Sequence, residues 1–229
     1  MKTIDKIKSN LSVVKLLIRK LGFFGAIKAV KEDILFEYIN GIDTLSAVPT
    51  KELGLENSAA LEQCSRYVPS FSSCVRDILD RLKSKIDFSS GNFVDMGSGK
   101  GKVLFVARKY DFKKIIGVEY SEGLHNICEN NIKKMGMEKR IFSIHEDGSL
   151  YKPNPENIIY YFFNPFTGDL LDTCLKNILC GDSPFEGYLV YAIPHDSHIF
   201  DKYANEVDDF RTGHGVHVKI YKAKENIIC

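Results

Sequence analysis

The residues best suited to chemistry lie in one stretch, Phe93-Val94-Asp95-Met96-Gly97-Ser98-Gly99-Lys100-Gly101-Lys102. Two apolar residues lead into an acid, three glycines follow at alternate positions, and an apolar run with helical spacing comes next. The pattern predicts a buried strand ending at Asp95, a tight turn, and a helix starting near Gly101. Glycine supplies positive φ and lets a ligand approach the backbone. A helix start adds unpaired N–H groups and a positive dipole end. At the carboxyl edge of a parallel strand this makes a ligand cradle. The spacing, Asp-x-Gly-x-Gly-x-Gly, differs from the G-x-G-x-x-G fingerprint of dinucleotide-binding proteins. An acid ahead of the glycines repels a pyrophosphate and favours a ligand with a positive group, such as an amino acid's ammonium.

Further polar residues stand where later strands end. Lys114 to Glu119 reads as a short β-branched strand, and Glu119 lies 18 residues beyond Gly101. An acid at that separation can accept hydrogen bonds from both hydroxyls of a ribose. Ile141 to His145 reads as a third strand, followed by Glu146-Asp147-Gly148-Ser149. Ile158 to Phe163 is an aromatic-rich fourth strand that stops at Asn164-Pro165-Phe166. Asn-Pro is a common breaker, and here it falls 69 residues after Asp95.

Taken in order, these features resemble the class I S-adenosylmethionine-dependent methyltransferases, over a span from about Tyr67 to the C-terminus. The glycine loop resembles that family's motif I. There the acid lies near the methionine part of the cofactor and the glycines pack against it. The resemblance implies cofactor contacts from Asp95, Gly97, Ser98, Gly99 and Gly101, with Glu119 at the ribose. It implies an adenine acceptor at Asp147, with Glu146 as the alternative, beside Gly148 and Tyr120. Asn164-Pro165-Phe166 is similar to the Asn-Pro-Pro-aromatic motif IV of amino-methylating members, with one proline in place of two. That likeness implies that Asn164 orients a nitrogen acceptor next to the cofactor while Phe166 screens it. Tyr67-Val68-Pro69 resembles a Tyr-x-Pro segment of seven-strand protein-lysine methyltransferases. It implies that Tyr67 faces the cofactor's reactive end.

The elements that must position these residues follow from periodicity. Val75, Ile78, Leu79 and Leu82 predict a helix with Ser70 as its N-cap. Lys102 to Lys109 predicts the next, and Ser121 caps another that runs to about Lys134. Leu170 to Leu179 predicts a further helix, and Gly187 to Pro194 a fifth strand, followed by His195, Asp196 and His198 in a loop. Phe210 and Val216 to Tyr221 read as the edges of a final hairpin. Alternation of strands and helices predicts an α/β class. The resemblance implies a doubly wound, mostly parallel seven-stranded sheet, its last strand antiparallel, with an N-terminal helical extension. The expected division is an extension over 1–66 and a cofactor-binding domain over 67–229.

Composition bounds the partners. A chain of 229 residues with 44% hydrophobic and 27% charged residues is ordinary for a globular protein, and its formal charge of +1 proposes no nucleic-acid partner. The six cysteines form no C-x-x-C pair, which points to reduced thiols, a cytoplasmic location and no zinc cluster. His214-Gly215-Val216-His217 lacks a third ligand, so no metal is expected. The first thirty-one residues hold seven lysines and one arginine against Asp5 alone, with apolar residues at helical spacing. That stretch suits an appended helix packed on the domain, a membrane-surface helix or a basic arm for an acidic partner. The expected function is methyl transfer to a nitrogen acceptor such as a protein lysine. Two alternatives stand beside it: a small-molecule methyltransferase capped by the N-terminal helices, and a binding protein that keeps the fold without turnover.

Overall fold

The computed structural model describes residues 31–46, 48, 69–181 and 185–224. Tyr67 and the basic segment 1–30 lie outside the described residues. Residues 31–40 are helical, and Gly41 at φ +63° ends that helix, with Ile42 N–H donating to Glu37 C=O. This is the left-handed stop that glycine allows without a Cβ clash.

A regular alternation then begins: α1 (Ser72–Leu82), β1 (Asn92–Met96), α2 (Lys102–Ala107), β2 (Ile115–Glu119), α3 (Glu122–Lys134), β3 (Ile141–His145) and β4 (Asn157–Phe162). α4 (Gly168–Leu179), β5 (Tyr188–Ala192), α5 (Ser197–Tyr203), β6 (Ala204–Arg211) and β7 (His217–Ala223) complete it. The seven strands form one sheet in the order β3-β2-β1-β4-β5-β7-β6. β1 to β5 pair in parallel, and β7 runs antiparallel to both β5 and β6. The mostly parallel seven-stranded sheet with an antiparallel last strand is therefore as expected.

The central strands are apolar on both faces because helices cover both. Along β4, Ile159 and Tyr161 enter a core shared with α1, α2 and α3, while Tyr160 and Phe162 enter one shared with α4 and α5. Along β5, Val190 and Ala192 go one way and Leu189 and Tyr191 the other. A period of two thus feeds two separate cores.

The structure corrects two local expectations. The N-cap of α1 is Phe71, with no side-chain cap bond, so Ser70 does not cap it. His198 does not lie in a loop: Asp196 caps α5, which starts at Ser197 and anchors itself through buried Ile199, Phe200 and Tyr203. Cys180, the C-cap residue of α4, is disulfide-bonded, whereas Cys74, Cys128 and Cys174 are free and buried.

Candidate functional site

Register brings the sequence-predicted residues to one edge of the sheet. Asp95 pairs with Gly117 of β2 and Tyr161 of β4, and Glu119, the last residue of β2, pairs with His145. Gly97, Gly99 and Gly101 all have positive φ, at 82°, 54° and 86°. The turn they make lets the Gly97 and Ser98 N–H groups both donate to Val118 C=O, at 2.8 and 3.0 Å.

Close packing also fixes these glycines. A Cβ on Gly97 would overlap the Cβ of Pro165, and one on Gly101 would come within 2.6 Å of Cys128 Sγ. The absence of a side chain at Gly97 thus lets the loop after β4 lie directly on the loop after β1. Ser98 points its hydroxyl toward Gly117, where a Cβ would come within 2.5 Å, and this buried oxygen has no hydrogen-bond partner.

Two buried carboxylates dominate the electrostatics. Asp95 is 2% exposed, and no cation or hydrogen-bond donor meets its carboxylate among the described residues. Burial, and then the neighbouring Glu119 charge, push its carboxyl well above the ordinary value. Glu119 is also raised by burial, although backbone N–H groups oppose that shift. Ser121 N–H donates to one of its oxygens at 2.8 Å and Gly99 N–H to the other at 2.7 Å. Glu119 therefore ties the glycine loop to the start of α3. Two buried acids at one sheet edge, with no cation on Asp95 among the described residues, are costly alone and suit a ligand that brings positive charge and hydroxyl donors.

The residues expected near an adenine lie next along the edge. Asp147 accepts from the Ser149 N–H at 2.8 Å and its hydroxyl at 2.7 Å, both through one oxygen. Glu146 N–H donates to Glu119 C=O, and Tyr120 is 38% exposed. Gly148 sits under the Phe166 ring, where a Cβ would come within 3.0 Å. Phe166 is buried edge-on to Phe162 at 6.2 Å. Its ring thus clamps the loop after β4 to the loop after β3.

Asn164 adopts the left-handed conformation, φ +46°. The Tyr191 hydroxyl donates to its Oδ1 at 3.1 Å. Asp196, which follows β5, accepts from Gly168 N–H at 3.3 Å.

Sequence reasoning missed the other side of the glycine turn. Lys100 and Lys102 are both buried. Lys100 Nζ donates to Asp43 Oδ2 at 3.0 Å, Ser46 C=O at 2.7 Å and Ser46 Oγ at 2.6 Å. Burial alone would raise Asp43, but hydrogen bonds from Ser46 and Lys100 outweigh it and lower its carboxyl. Lys102 Nζ lies 2.8 Å from Asp33 Oδ2, a poorly angled contact in which neither atom makes a good hydrogen bond. Asn131 of α3 adds bonds to both Asp43 C=O and Lys100 C=O. Two lysines inside an otherwise apolar and glycine-rich motif were the available signal. Residues 31–46 are fastened to the very turn that carries Asp95. Among the described residues no cluster of three metal-binding side chains occurs, and no helix is long and apolar enough to cross a membrane.

No protein-family model matches the sequence, and no curated protein does. Solved structures do match. A SAM-dependent methyltransferase from Aquifex aeolicus is 15% identical with a TM-score of 0.54, and the match covers 77% of this chain and 99% of that one. An RNA methyltransferase from Salinibacter ruber, solved with S-adenosyl-L-homocysteine, is 16% identical with a TM-score of 0.50, covering 70% and 97%. The pyocyanin biosynthetic protein PhzM is 11% identical with a TM-score of 0.54 over 66% of this chain, and the match spans only 55% of PhzM. Identities this low carry architecture and no more: the chain has the seven-strand, Rossmann-like fold of these methyltransferases.

Proposed function

We propose that the chain is an S-adenosylmethionine-dependent methyltransferase. The observation that carries this reading is the pair of buried acids, Asp95 and Glu119, side by side at the sheet edge. S-adenosylmethionine supplies both things the pair lacks, an ammonium and vicinal ribose hydroxyls, and when bound it supplies a methyl group on a sulfonium. Asp95 would take the ammonium, Glu119 the ribose, and the free oxygen of Asp147, or Glu146, the adenine amine beside Tyr120 and Gly148. Gly97, Ser98, Gly99 and Gly101 would present backbone to it.

The chain's own contribution is alignment. Asn164 accepts from an N–H of the acceptor and turns the nitrogen lone pair toward the cofactor side. Phe166 closes the floor between Asn164 and the Gly148 turn. Tyr67 completes the wall in the reading based on the Tyr-x-Pro likeness. Holding two reactants in an attack geometry is worth several orders of magnitude without any covalent intermediate. A nitrogen acceptor fits Asn164, and a protein lysine is the leading candidate. Such a lysine must arrive neutral or lose its proton on binding.

A second reading, a small acceptor enclosed beneath the N-terminal residues, draws support from the fastening of residues 31–46 to the glycine turn. Calorimetry with S-adenosylhomocysteine and with NAD tests the cofactor: binding of the first alone supports the proposal, and binding of neither defeats it. Tritiated methyl transfer into fractionated lysate then decides the acceptor, macromolecule or small molecule. A protein that binds without transferring label would be the scaffold alternative.

A further inference from the structure

Among the described residues only two non-glycine positions have positive φ, Asn164 at +46° and Ile193 at +57°. A β-branched residue in that conformation is a genuine outlier, and strain of this kind persists where the surrounding structure imposes it. Both positions flank a single hydroxyl. The Tyr191 O–H donates to Asn164 Oδ1 at 3.1 Å and accepts from Asp196 N–H at 3.3 Å. The turn at Ile193 creates the second contact: His195 N–H donates back to Ile193 C=O at 2.8 Å, which brings the Asp196 N–H over the end of β5.

Hydrogen counting fixes the amide. Asp196 N–H can only donate, so the one hydroxyl hydrogen is left for Asn164, and it needs an oxygen there. A flipped amide would offer Tyr191 a further donor and leave the hydroxyl hydrogen unused, which is costly for a buried group. Tyr191 cannot easily swing away. Its ring stacks on Phe200 at 4.5 Å, Phe200 stacks on Tyr221 at 5.0 Å, and Phe162 meets Phe200 edge-on at 5.4 Å. A stack of three rings from β5, α5 and β7 therefore sets the hydroxyl's position.

We propose that Tyr191 is a positioning residue for methyl transfer: its hydroxyl selects the amide orientation of Asn164 and holds it against the acceptor. This inference rests on the functional reading above. Asn164 and Phe166 come from one loop, but the group that aims Asn164 comes from the neighbouring strand, which sequence spacing alone does not indicate.

Tyr191→Phe removes the hydroxyl and keeps the ring. The expected result is an S-adenosylhomocysteine affinity within about twofold of wild type. The maximal rate of label transfer into the lysate fraction that wild-type protein labels falls about 10- to 100-fold, with a smaller change in apparent KM. The Asn164 side-chain amide signals in a ¹⁵N spectrum, identified by their loss in Asn164→Ala, shift in Tyr191→Phe. Unmoved amide signals or an undiminished rate would overturn the inference. Should Tyr191→Phe fail to fold, wild-type protein decides: the Tyr191 hydroxyl proton must be slow to exchange with solvent and close to Asn164, and a freely exchanging proton overturns the inference. A wild type that neither binds S-adenosylhomocysteine nor transfers label overturns the functional reading, and this inference falls with it. A wild type that does both, beside an equally fast Tyr191→Phe, overturns this inference alone.

Discussion

The glycine turn carries buried charge on both of its sides, and the two sides treat it differently. Lys100 and Lys102 face residues 31–46, and each meets an acid of the same chain, Asp43 or Asp33. Asp95 and Glu119 face the sheet edge, where the Glu119 charge raises the Asp95 carboxyl while nearby His145 opposes the rise at Glu119. A buried charge that meets its opposite within the chain is architecture: it fastens the N-terminal residues to the turn. An acid such as Asp95, which no cation of the described residues meets, is destabilised until something else supplies one. The same physical cost of burying charge thus separates a joint from a candidate binding site.

That contrast can be broken most forcefully at Asp33. Asp33→Asn leaves Lys102 buried opposite a neutral group and should cost about 3–5 kcal/mol in urea unfolding. Pairing it with Lys102→Met should recover most of the loss. A cost no larger than that of a surface substitution would mean that Lys102 finds another partner.

Asp95→Asn should do the reverse. Binding of S-adenosylhomocysteine weakens roughly 10- to 150-fold, as expected for one charged hydrogen bond, while the ligand-free protein is no less stable than wild type. Calorimetry and unfolding on the same samples read both, and unchanged affinity would remove Asp95 from the site.

A smaller effect appears in pH dependence. The raised native value of Asp95 means that its folded form holds the proton more tightly than the unfolded chain does. Its stabilising contribution is therefore fully present below the unfolded value, about 3.9, and is lost as pH rises through the native value. Asp43 and Asp208, lowered in the native state, lose stability instead as pH falls through their native values. The difference between Asp95→Asn and wild type isolates Asp95. It should grow in the variant's favour as pH rises from acid, then level off; a flat difference would contradict the shift.

The smallest change is expected one residue from the largest. Glu32 pairs with Arg76 at 2.5 Å, but both are partly exposed, 41% and 29%. Glu32→Gln should cost less than about 1 kcal/mol and leave ligand affinity alone. A cost rivalling Asp33→Asn would erase the distinction between buried and exposed pairing.

Much of this arrangement was legible in the chain. β3 runs Ile141–His145 as expected, and Ser121 caps α3 by accepting from Leu124 N–H. Glu119 ends β2 as expected, whereas β1 runs one residue past Asp95 to Met96. Other features were not legible. Tyr191 sits in an apolar run and looks like core, as its ring is; only the pairing of β5 beside β4 brings its hydroxyl to Asn164. Lys100 and Lys102 look like solvated lysines until Asp33 and Asp43 arrive from some sixty residues away. Ser70 looked like a cap, but the backbone placed Phe71 there.

What the sequence determined by itself is therefore local and periodic: the strands, the helices, the left-handed glycines and the acids that end strands. Each depends on neighbours a few residues apart. The tertiary structure alone decided which buried charges are satisfied. A charge's partner lies where the fold crosses itself, at Asp33 and Asp43 for one side of the turn, while no described residue supplies a cation to Asp95 on the other.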